Sequence, residues 1–322
     1  MKIYILGMDG YIGWRLKGYL EERNHIVEGC DNFSRRERAA SLVPTVRDST
    51  IRALDVCSTD QLADVLREFK PDCVVHLAEI PSAPFSMIDA ENTMLTQQNN
   101  ILGSLSVALA MVDACPHAHL LKLGTMGEFG PSSWYHMSKV CDTENIKYAC
   151  RTFGLCATDV MQGPVYGVGG RFDYDEVWGT VVNRWICMGL AGMDLLVYGD
   201  GNQVRGFLPI DDALRCFELQ MLNPPSAGEY RVVCQYAQKW RLKDLATLLS
   251  TVLKVGVAHI ENPRIEDDVL EAGGTNDWLT DHGYKPSRVE DVIEQLVDEV
   301  YPYRNNIDVR RFIPVVKWVE EI

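Results

Sequence analysis

The chain has 322 residues, of which 47% are hydrophobic and 24% are charged, so it can bury a sizeable core and its composition excludes general disorder. Its formal net charge of -14 argues against non-specific binding to nucleic acid or to an anionic membrane surface. No stretch approaches the roughly 18 continuous apolar residues of a membrane span, and no small-residue cleavage site follows the N-terminus. We therefore expect no transmembrane helix, no signal peptide, and neither nucleic acid nor membrane as a partner.

The chain contains 10 cysteines, none of them in a Cys-x-x-Cys pair, and several lie in apolar runs, such as Cys73 in CVVHLA. A zinc site or a set of disulfides would place cysteines closer together in the sequence. We therefore predict reduced core cysteines, no metal site and a cytoplasmic location.

Short apolar runs alternate with helical patterns over the first half of the chain. The apolar runs predict six strands, at residues 2–6, 26–30, 51–55, 73–78, 119–124 and 156–162. Helical spacing predicts helices between them, among them one that ends at about residue 23, a long one at about 93–115 and one that begins near residue 133. This alternation is typical of a parallel sheet with helices on both faces.

The second half of the chain has a more mixed pattern. Residues 231–235 favour a strand, and residues 241–253 and 289–301 favour helices. Scattered Pro and Gly separate these segments. The pattern predicts a smaller α/β lobe over residues 166–322, which binds substrate at the mouth of the first domain, with the chain crossing between the two lobes more than once.

A cofactor signature follows the first predicted strand. Three glycines with the spacing G-x-x-G-x-x-G stand at the start of a helix: Gly7, Gly10 and Gly13. A tight turn there lets backbone N–H groups approach a pyrophosphate at the helix N-terminus. Asp31 ends the second strand, where a carboxylate accepts hydrogen bonds from the adenosine ribose and repels a 2′-phosphate. This predicts a Rossmann-type domain over residues 1–165 and favours NAD, although Arg35 and Arg36 keep NADP open. Asp55 is either a contact to the adenine or a turn residue at a strand end.

A catalytic pattern opens the helix near residue 133. Tyr135 and Lys139 are four residues apart and so share one helix face. A nearby ammonium lowers the pKa of a phenol, and the phenolate can then take a proton from a sugar hydroxyl while hydride leaves. Thr125 follows the fifth strand, where its hydroxyl could bind the same sugar oxygen. The alternative is an ordinary amphipathic helix with a chance Tyr and Lys.

These motifs resemble those of the extended short-chain dehydrogenase/reductase family, which includes UDP-glucose 4-epimerases and nucleotide-sugar 4,6-dehydratases. Within that family the chain is most similar to the UDP-sulfoquinovose synthases, and the likeness covers nearly its whole length. The stretches that carry it are GYIGW (10–14), DN (31–32), SAPFSMID (82–89), QNN (98–100) with Gly103, GTMGEFG (124–130), YHMSK (135–139), VYG (165–167), RFDYDEVWGT (171–180), YGDGNQVRG (198–206), NPR (262–264) and IPVVKW (313–318). SAPFSMID and GTMGE are far more specific than the shared family motifs.

The resemblance implies roles for five catalytic side chains: Thr125, Glu128, Tyr135, His136 and Lys139. The tyrosine and lysine form the oxidation pair, and the threonine binds the sugar 4-hydroxyl. The 4,6-dehydratases have Asp-Glu after this threonine, where the present chain has MG at 126–127. The resemblance therefore implies that the glutamate and histidine move the protons that accompany loss of the 6-hydroxyl.

The resemblance also implies a reaction. UDP-glucose would be oxidised at C4 by tightly bound NAD, lose the C5 proton and the 6-hydroxyl to give a 4-keto-5,6-ene, add sulfite at C6, and be reduced again at C4. The product would be UDP-sulfoquinovose. Plain 4-epimerisation, 4,6-dehydration and a non-catalytic NAD sensor are the alternatives.

The implied binding residues fall into two groups. The cofactor would be bound by Gly7, Gly10, Tyr11, Ile12, Gly13, Asp31, Asn32, Arg35, Asp55, Val56, Leu77, Ala78, Tyr135, Lys139 and Gln162. The substrate would be bound by Ser82, Met87, Thr125, Gln162, Thr180, Asn183, Tyr198, Gln203, Arg205 and Arg264, with the last two on the diphosphate because a guanidinium suits phosphate oxygens. Many members of the family are dimers, so a homodimer through the helices at 93–115 and 135–152 is expected, although their apolar faces could equally be covered within one chain.

The chain departs from the family pattern in four places. The segment between Thr125 and Tyr135 is short, as are those after Arg36 and after Tyr166. Residues 80–81 are Ile-Pro, whereas plant-type synthases have Gln-Arg there. Loss of that arginine predicts weaker anion binding near the site, which concerns the addition of sulfite and not the oxidation.

Overall fold

The structure is a computed structural model, which describes residues 1–39, 41–45, 48–264, 277–314, 316 and 318. The strands are β1 Lys2–Leu6, β2 Ile26–Asp31, β3 Arg52–Ala53, β4 Cys73–His76, β5 His119–Thr125, β6 Cys156–Gln162, β7 Val165–Tyr166, β8 Leu195–Tyr198, β9 Val204–Pro209, β10 Tyr230–Gln235, β11 Gln238–Arg241 and β12 Val257–Ile260. The helices are α1 Tyr11–Glu21, α2 Ser34–Arg38, α3 Thr59–Phe69, α4 Ala90–Gln97, α5 Gly103–Ala114, α6 Trp134–Phe153, α7 Val181–Leu190, α8 Ile210–Leu222, α9 Leu242–Leu253, α10 Asp277–Asp281 and α11 Val289–Val300.

Seven parallel strands form the main sheet, in the order β10-β6-β5-β4-β1-β2-β3. One apolar cluster packs α1 and α8 on one face, and a second packs α3, α5 and α6 on the other. Both faces of the central strands are therefore buried, which explains the apolar runs in β1 and β4. This confirms the predicted α/β class with a doubly wound parallel sheet.

The second half of the chain contributes to both lobes. β7, β9 and β11 form a three-stranded sheet, and β8 pairs with β12. These strands pack with α7, α9 and α11 around a third apolar cluster. β10, however, pairs with β6 and extends the main sheet. The division at residue 165 stays a prediction, and the chain does return to the first sheet after it.

Two predicted elements differ from the structure. The strand at 51–55 is reduced to the two exposed residues of β3, since this edge of the sheet has a partner on one side only. The long helix at 93–115 is interrupted by a π-turn at Gln98–Leu102. That wide turn lets the buried amide of Asn100 bond both backbone groups of Ile80, at 2.8 and 3.1 Å, and the hydroxyl of Ser138 at 2.9 Å.

The prediction that the cysteines are core residues was partly wrong. All ten are free thiols, but Cys57 and Cys141 are exposed, and Cys115 and Cys156 are half-buried. Within the part of the chain that the structure describes, no helix is long and apolar enough to cross a membrane. Among those same residues, no group of three or more His, Cys, Asp or Glu side chains could hold a metal ion.

Candidate active site

One cavity of about 460 Å³ opens at the carboxyl ends of the central strands and extends under the second lobe. Parallel α/β sheets bind ligands at this edge. Most of the predicted binding residues line it, namely Gly7, Gly10, Tyr11, Ile12, Gly13, Asp31, Asn32, Arg35, Val56, Leu77, Ala78, Ser82, Thr125, Tyr135, His136, Gln162, Thr180, Asn183, Tyr198, Arg205 and Arg264. Five predicted residues are not among the described residues that line this cavity: Asp55, Met87, Glu128, Lys139 and Gln203.

The glycine turn forms the dinucleotide end of the cavity. Gly7 has φ +80°, and a Cβ at this position would lie 2.6 Å from the Leu77 carbonyl group, so only glycine fits. Asp31 stands at the end of β2, and its carboxylate accepts hydrogen bonds from the N–H groups of Asp9 at 3.0 Å and Phe33 at 2.7 Å. The turn, the carboxylate and the start of α1 fit an adenosine ribose and a pyrophosphate.

The two arginines that kept NADP open are both paired with carboxylates. Arg35 donates to Asp173 at 2.6 Å, and Arg36 forms a two-pronged pair with Asp9. A 2′-phosphate would have to displace these partners. Asp55 is exposed and accepts from Asn32 at 3.1 Å and from its own turn, which is the arrangement of a turn residue at a strand end.

Tyr135, Thr125 and His136 meet on the cavity wall, whereas Lys139 lies one helical turn behind it. The Lys139 Nζ is fully buried and donates to the Leu123 carbonyl at 2.8 Å and to Asp142 at 2.9 Å. Burial raises the pKa of the Tyr135 phenol, and the lowering effect of Lys139 is the smaller of the two. Lys139 thus acts in the predicted direction, but its effect on the phenol pKa is outweighed, because the phenol is desolvated and the ammonium is shared with buried acidic groups.

The imidazole of His136 is fixed by Ser132, whose N–H donates to Nδ1 at 3.3 Å. A backbone N–H only donates, so the neutral ring carries its proton on Nε2. Burial, followed by the charges of Arg205 and Arg264, lowers the pKa of His136 to about 4. The ring is therefore neutral at pH 7 and offers an N–H donor.

The same ring occupies the space above Gly127. A Cβ at 127 would come within 3.0 Å of the Cδ2 and Nε2 atoms of His136, closer than real side chains approach. His136 thus stands where a side chain at 127 would stand. The Met-Gly departure from the dehydratase pattern has a physical reason, since the glycine makes room for the imidazole.

Glu128 lies behind Thr125. Its carboxylate accepts from the Thr125 N–H at 3.0 Å and from the Thr143 hydroxyl at 2.8 Å, 3.9 Å from the Lys122 ammonium. The side chain is 5% exposed. Burial raises its pKa, which favours the protonated acid.

The far end of the cavity contains the two predicted arginines. Arg264 lies 3.5 Å from the Glu176 carboxylate and stacks over the Tyr198 ring at 5.5 Å. Arg184 faces the same ring at 5.3 Å. Sequence reasoning missed three residues of the site: Glu176, Arg184 and Glu79. Glu176 lies within the stretch at 171–180 that resembles the family, and Glu79 lies beside Lys139.

Three other predicted substrate residues have structural partners. The Ser82 hydroxyl donates to the Val177 carbonyl at 2.5 Å, and the Asn183 side chain accepts from the Gly167 N–H at 3.0 Å. Gln162 donates to Gln235 at 2.6 Å. Among the predicted substrate residues, the buried side-chain atoms that bond to none of the described residues include Oε1 of Gln162, the Thr180 hydroxyl and Oε1 of Gln203. Within the motif at 313–318, residues 315 and 317 lie outside the described residues.

Comparison with known proteins agrees with this geometry. Residues 3–233 match the model of the NAD dependent epimerase/dehydratase family. The chain belongs to this family. It is 33% identical to the chloroplastic UDP-sulfoquinovose synthase of Spinacia oleracea over 98% of its own length and 79% of the relative's. It is also 33% identical to the UDP-sulfoquinovose synthase of Sulfolobus acidocaldarius, over 99% and 98%. Both alignments are longer than this chain, at 380 and 385 positions, so the relatives contain segments that it lacks.

Solved structures show the same fold. UDP-glucose 4-epimerase from Thermotoga maritima, solved with UDP-glucose, superposes with a TM-score of 0.77 at 20% identity, covering 95% of this chain and 99% of that one. The dTDP-glucose 4,6-dehydratase from Streptomyces venezuelae, solved with NAD, also gives 0.77 at 21% identity, over 95% and 98%. The present chain is thus an NAD-dependent enzyme that modifies sugar nucleotides.

Proposed function

We propose that this enzyme is a UDP-sulfoquinovose synthase, which converts UDP-glucose and sulfite into UDP-sulfoquinovose through a 4-keto-5,6-ene. The observation that carries the proposal is the placement of His136 over Gly127, beside Thr125 and Tyr135. This arrangement supplies a hydrogen-bond donor at the position where the dehydratases have an acidic side chain. The two synthases at 33% identity over nearly the whole chain support the same assignment.

The cavity wall fits a dinucleotide. The turn at Gly7 leaves backbone close to the cavity, and Asp31 is placed for a ribose. NAD bound there would accept and return a hydride at the sugar C4. With Arg35 and Arg36 already paired, we propose NAD as the resident cofactor in preference to NADP.

In the proposed reaction, Tyr135 takes the proton of the 4-hydroxyl, and Thr125 binds the same oxygen. The 4-ketone acidifies the C5 hydrogen. The Nε2–H of His136 faces the 6-hydroxyl as a donor, and Glu128 holds a proton behind Thr125. The proton lost from C5 leaves with the 6-hydroxyl as water, so the elimination requires no net proton; the Nε2–H of His136 stabilises the leaving oxygen by a hydrogen bond, and Glu128 supports Thr125 from behind.

We place the diphosphate at Arg205 and Arg264, since both guanidinium groups reach the cavity from the second lobe. The uridine then lies towards Tyr198 and Thr180. The wall at residues 80–81 is apolar in this chain, because Ile80 and Pro81 replace a Gln-Arg pair. Sulfite would have to use the positive field of the same two arginines, which already lowers the pKa of His136.

We also propose a homodimer. α5 exposes Leu105 and Leu109, and the adjacent α6 exposes Trp134, Met137 and Tyr148 at helical spacing. Two neighbouring apolar stripes on one face are typical of a protein–protein interface.

The first test is to incubate the purified protein with UDP-glucose, with and without sulfite, and to follow the products by mass spectrometry. We expect a sulfite-dependent UDP-sugar that is heavier by the elements of sulfite minus water, and no such product from Tyr135→Phe. An isobaric product resolved by chromatography would instead indicate a 4-epimerase, and a product lighter by one water a 4,6-dehydratase.

A further inference from the structure

A buried carboxylate on the cavity wall binds the lysine of the oxidation pair. Glu79 follows β4, and its Oε2 accepts a hydrogen bond from the Lys139 Nζ. With the Leu123 carbonyl and Asp142, this contact uses all three hydrogens of the ammonium. The lysine is therefore held from three sides, and one of its partners belongs to the wall that faces the ligand.

Glu79 stands between Lys139 and the cavity. Glu79 is part of the cavity wall, and its side chain is 7% exposed, whereas Lys139 is fully buried behind it. The second oxygen of Glu79 accepts from the Ser104 hydroxyl at 3.1 Å and lies 3.7 Å from the His76 ring. The carboxyl group is thus fixed on both sides, unlike a solvated loop acid.

The titratable groups around Glu79 come from three elements. α6 supplies Lys139 and Asp142, β5 supplies Lys122, and β4 supplies the neutral His76. Burial raises the pKa of Glu79 to about 8, Lys139 lowers it and Asp142 raises it again. The carboxyl group consequently changes its charge close to the working pH of most enzymes.

We propose that Glu79 is a positioning residue of the oxidation pair, which holds Lys139 from the cavity side and sets how much of its positive charge reaches Tyr135. The inference rests on the proposed function of Tyr135 and Lys139. An ionised Glu79 raises the pKa of the Tyr135 phenol and so opposes the lysine. A neutral Glu79 leaves the effect of the ammonium on the phenol intact.

The test is Glu79→Gln, which keeps the shape and removes the charge, with the exposed Glu91→Gln in α4 as a matched control. Single-turnover reduction of bound NAD by UDP-glucose is followed by nicotinamide fluorescence from about pH 6 to about pH 9. We expect equal rates below about pH 7, where Glu79 is protonated, and a severalfold faster Gln variant at about pH 9. Two profiles that differ by a constant factor would show a merely structural role and overturn the proposal.

A second measurement needs no substrate. Because the folded-state pKa of Glu79 is raised above its unfolded value, its contribution to stability falls as pH rises from about 4.5 to about 8, and is constant above that. The unfolding temperature of the wild type, minus that of Glu79→Gln, should therefore fall across this window, and a flat difference refutes the charge assignment. The difference in unfolding temperature can fall as expected while UDP-glucose reduces no bound NAD in the wild type. In that case the proposed function fails, and Glu79 is still the charge partner of Lys139.

Discussion

Gly127→Ala tests the role of the imidazole at the reaction centre. An added Cβ would come within 3.0 Å of Cδ2 and Nε2 of His136 and to 3.0 Å of Cε1, whereas ordinary van der Waals contact begins at 3.4 Å. The ring must therefore move by at least 0.4 Å at Cε1, and further at the two nearer atoms. Misplacement of a catalytic group by about 1 Å costs on the order of a hundredfold in rate. We expect the loss of water from the sugar to slow by roughly ten- to a hundredfold.

Oxidation at C4 should change much less, since Tyr135 and Thr125 are not displaced. The assay compares the sulfite-dependent product with the reduction of bound NAD by UDP-glucose. Gly18→Ala is the matched control, because a Cβ on this exposed residue of α1 meets nothing within 4 Å. A Gly127→Ala enzyme that forms product at the wild-type rate would refute the argument that His136 hydrogen-bonds the leaving hydroxyl from this position.

Three further predictions concern different parts of the molecule. Tyr135→Phe should slow the reduction of bound NAD by about 10²–10⁴-fold without release of the cofactor, as measured by fluorescence and by cofactor content after gel filtration. Lys122→Met should lower the free energy of unfolding by about 3–5 kcal/mol, as measured by calorimetry at pH 7. The Lys122 ammonium lies 2.5 Å from Asp142 and 3.2 Å from Asp159, and its loss leaves both carboxylates buried without it. Leu105→Glu should convert a dimer into a 36.3 kDa monomer in light scattering, and an unchanged mass would exclude this face of α5 as the interface.

The sequence by itself determined the class of fold and the chemistry of the cofactor end. The apolar runs IYIL in β1 and CVV in β4 arise because a parallel sheet buries both faces, and that pattern needs no tertiary information. The glycine turn and Asp31 are close in sequence to the strands that position them, so their spacing alone predicts a dinucleotide. Tyr135 and Lys139 share a helix face for the same local reason.

Only the tertiary structure decided how the charges of the site are balanced. Glu79 and Lys139 are 60 residues apart and come from different elements, so no local pattern could predict their contact. The same holds for Glu128, whose bond to Thr143 directs it away from the cavity, and for the net rise in the pKa of Tyr135. Burial and long-range pairing set these electrostatic effects, and both are properties of the packed chain, which the spacing of residues in the sequence does not specify.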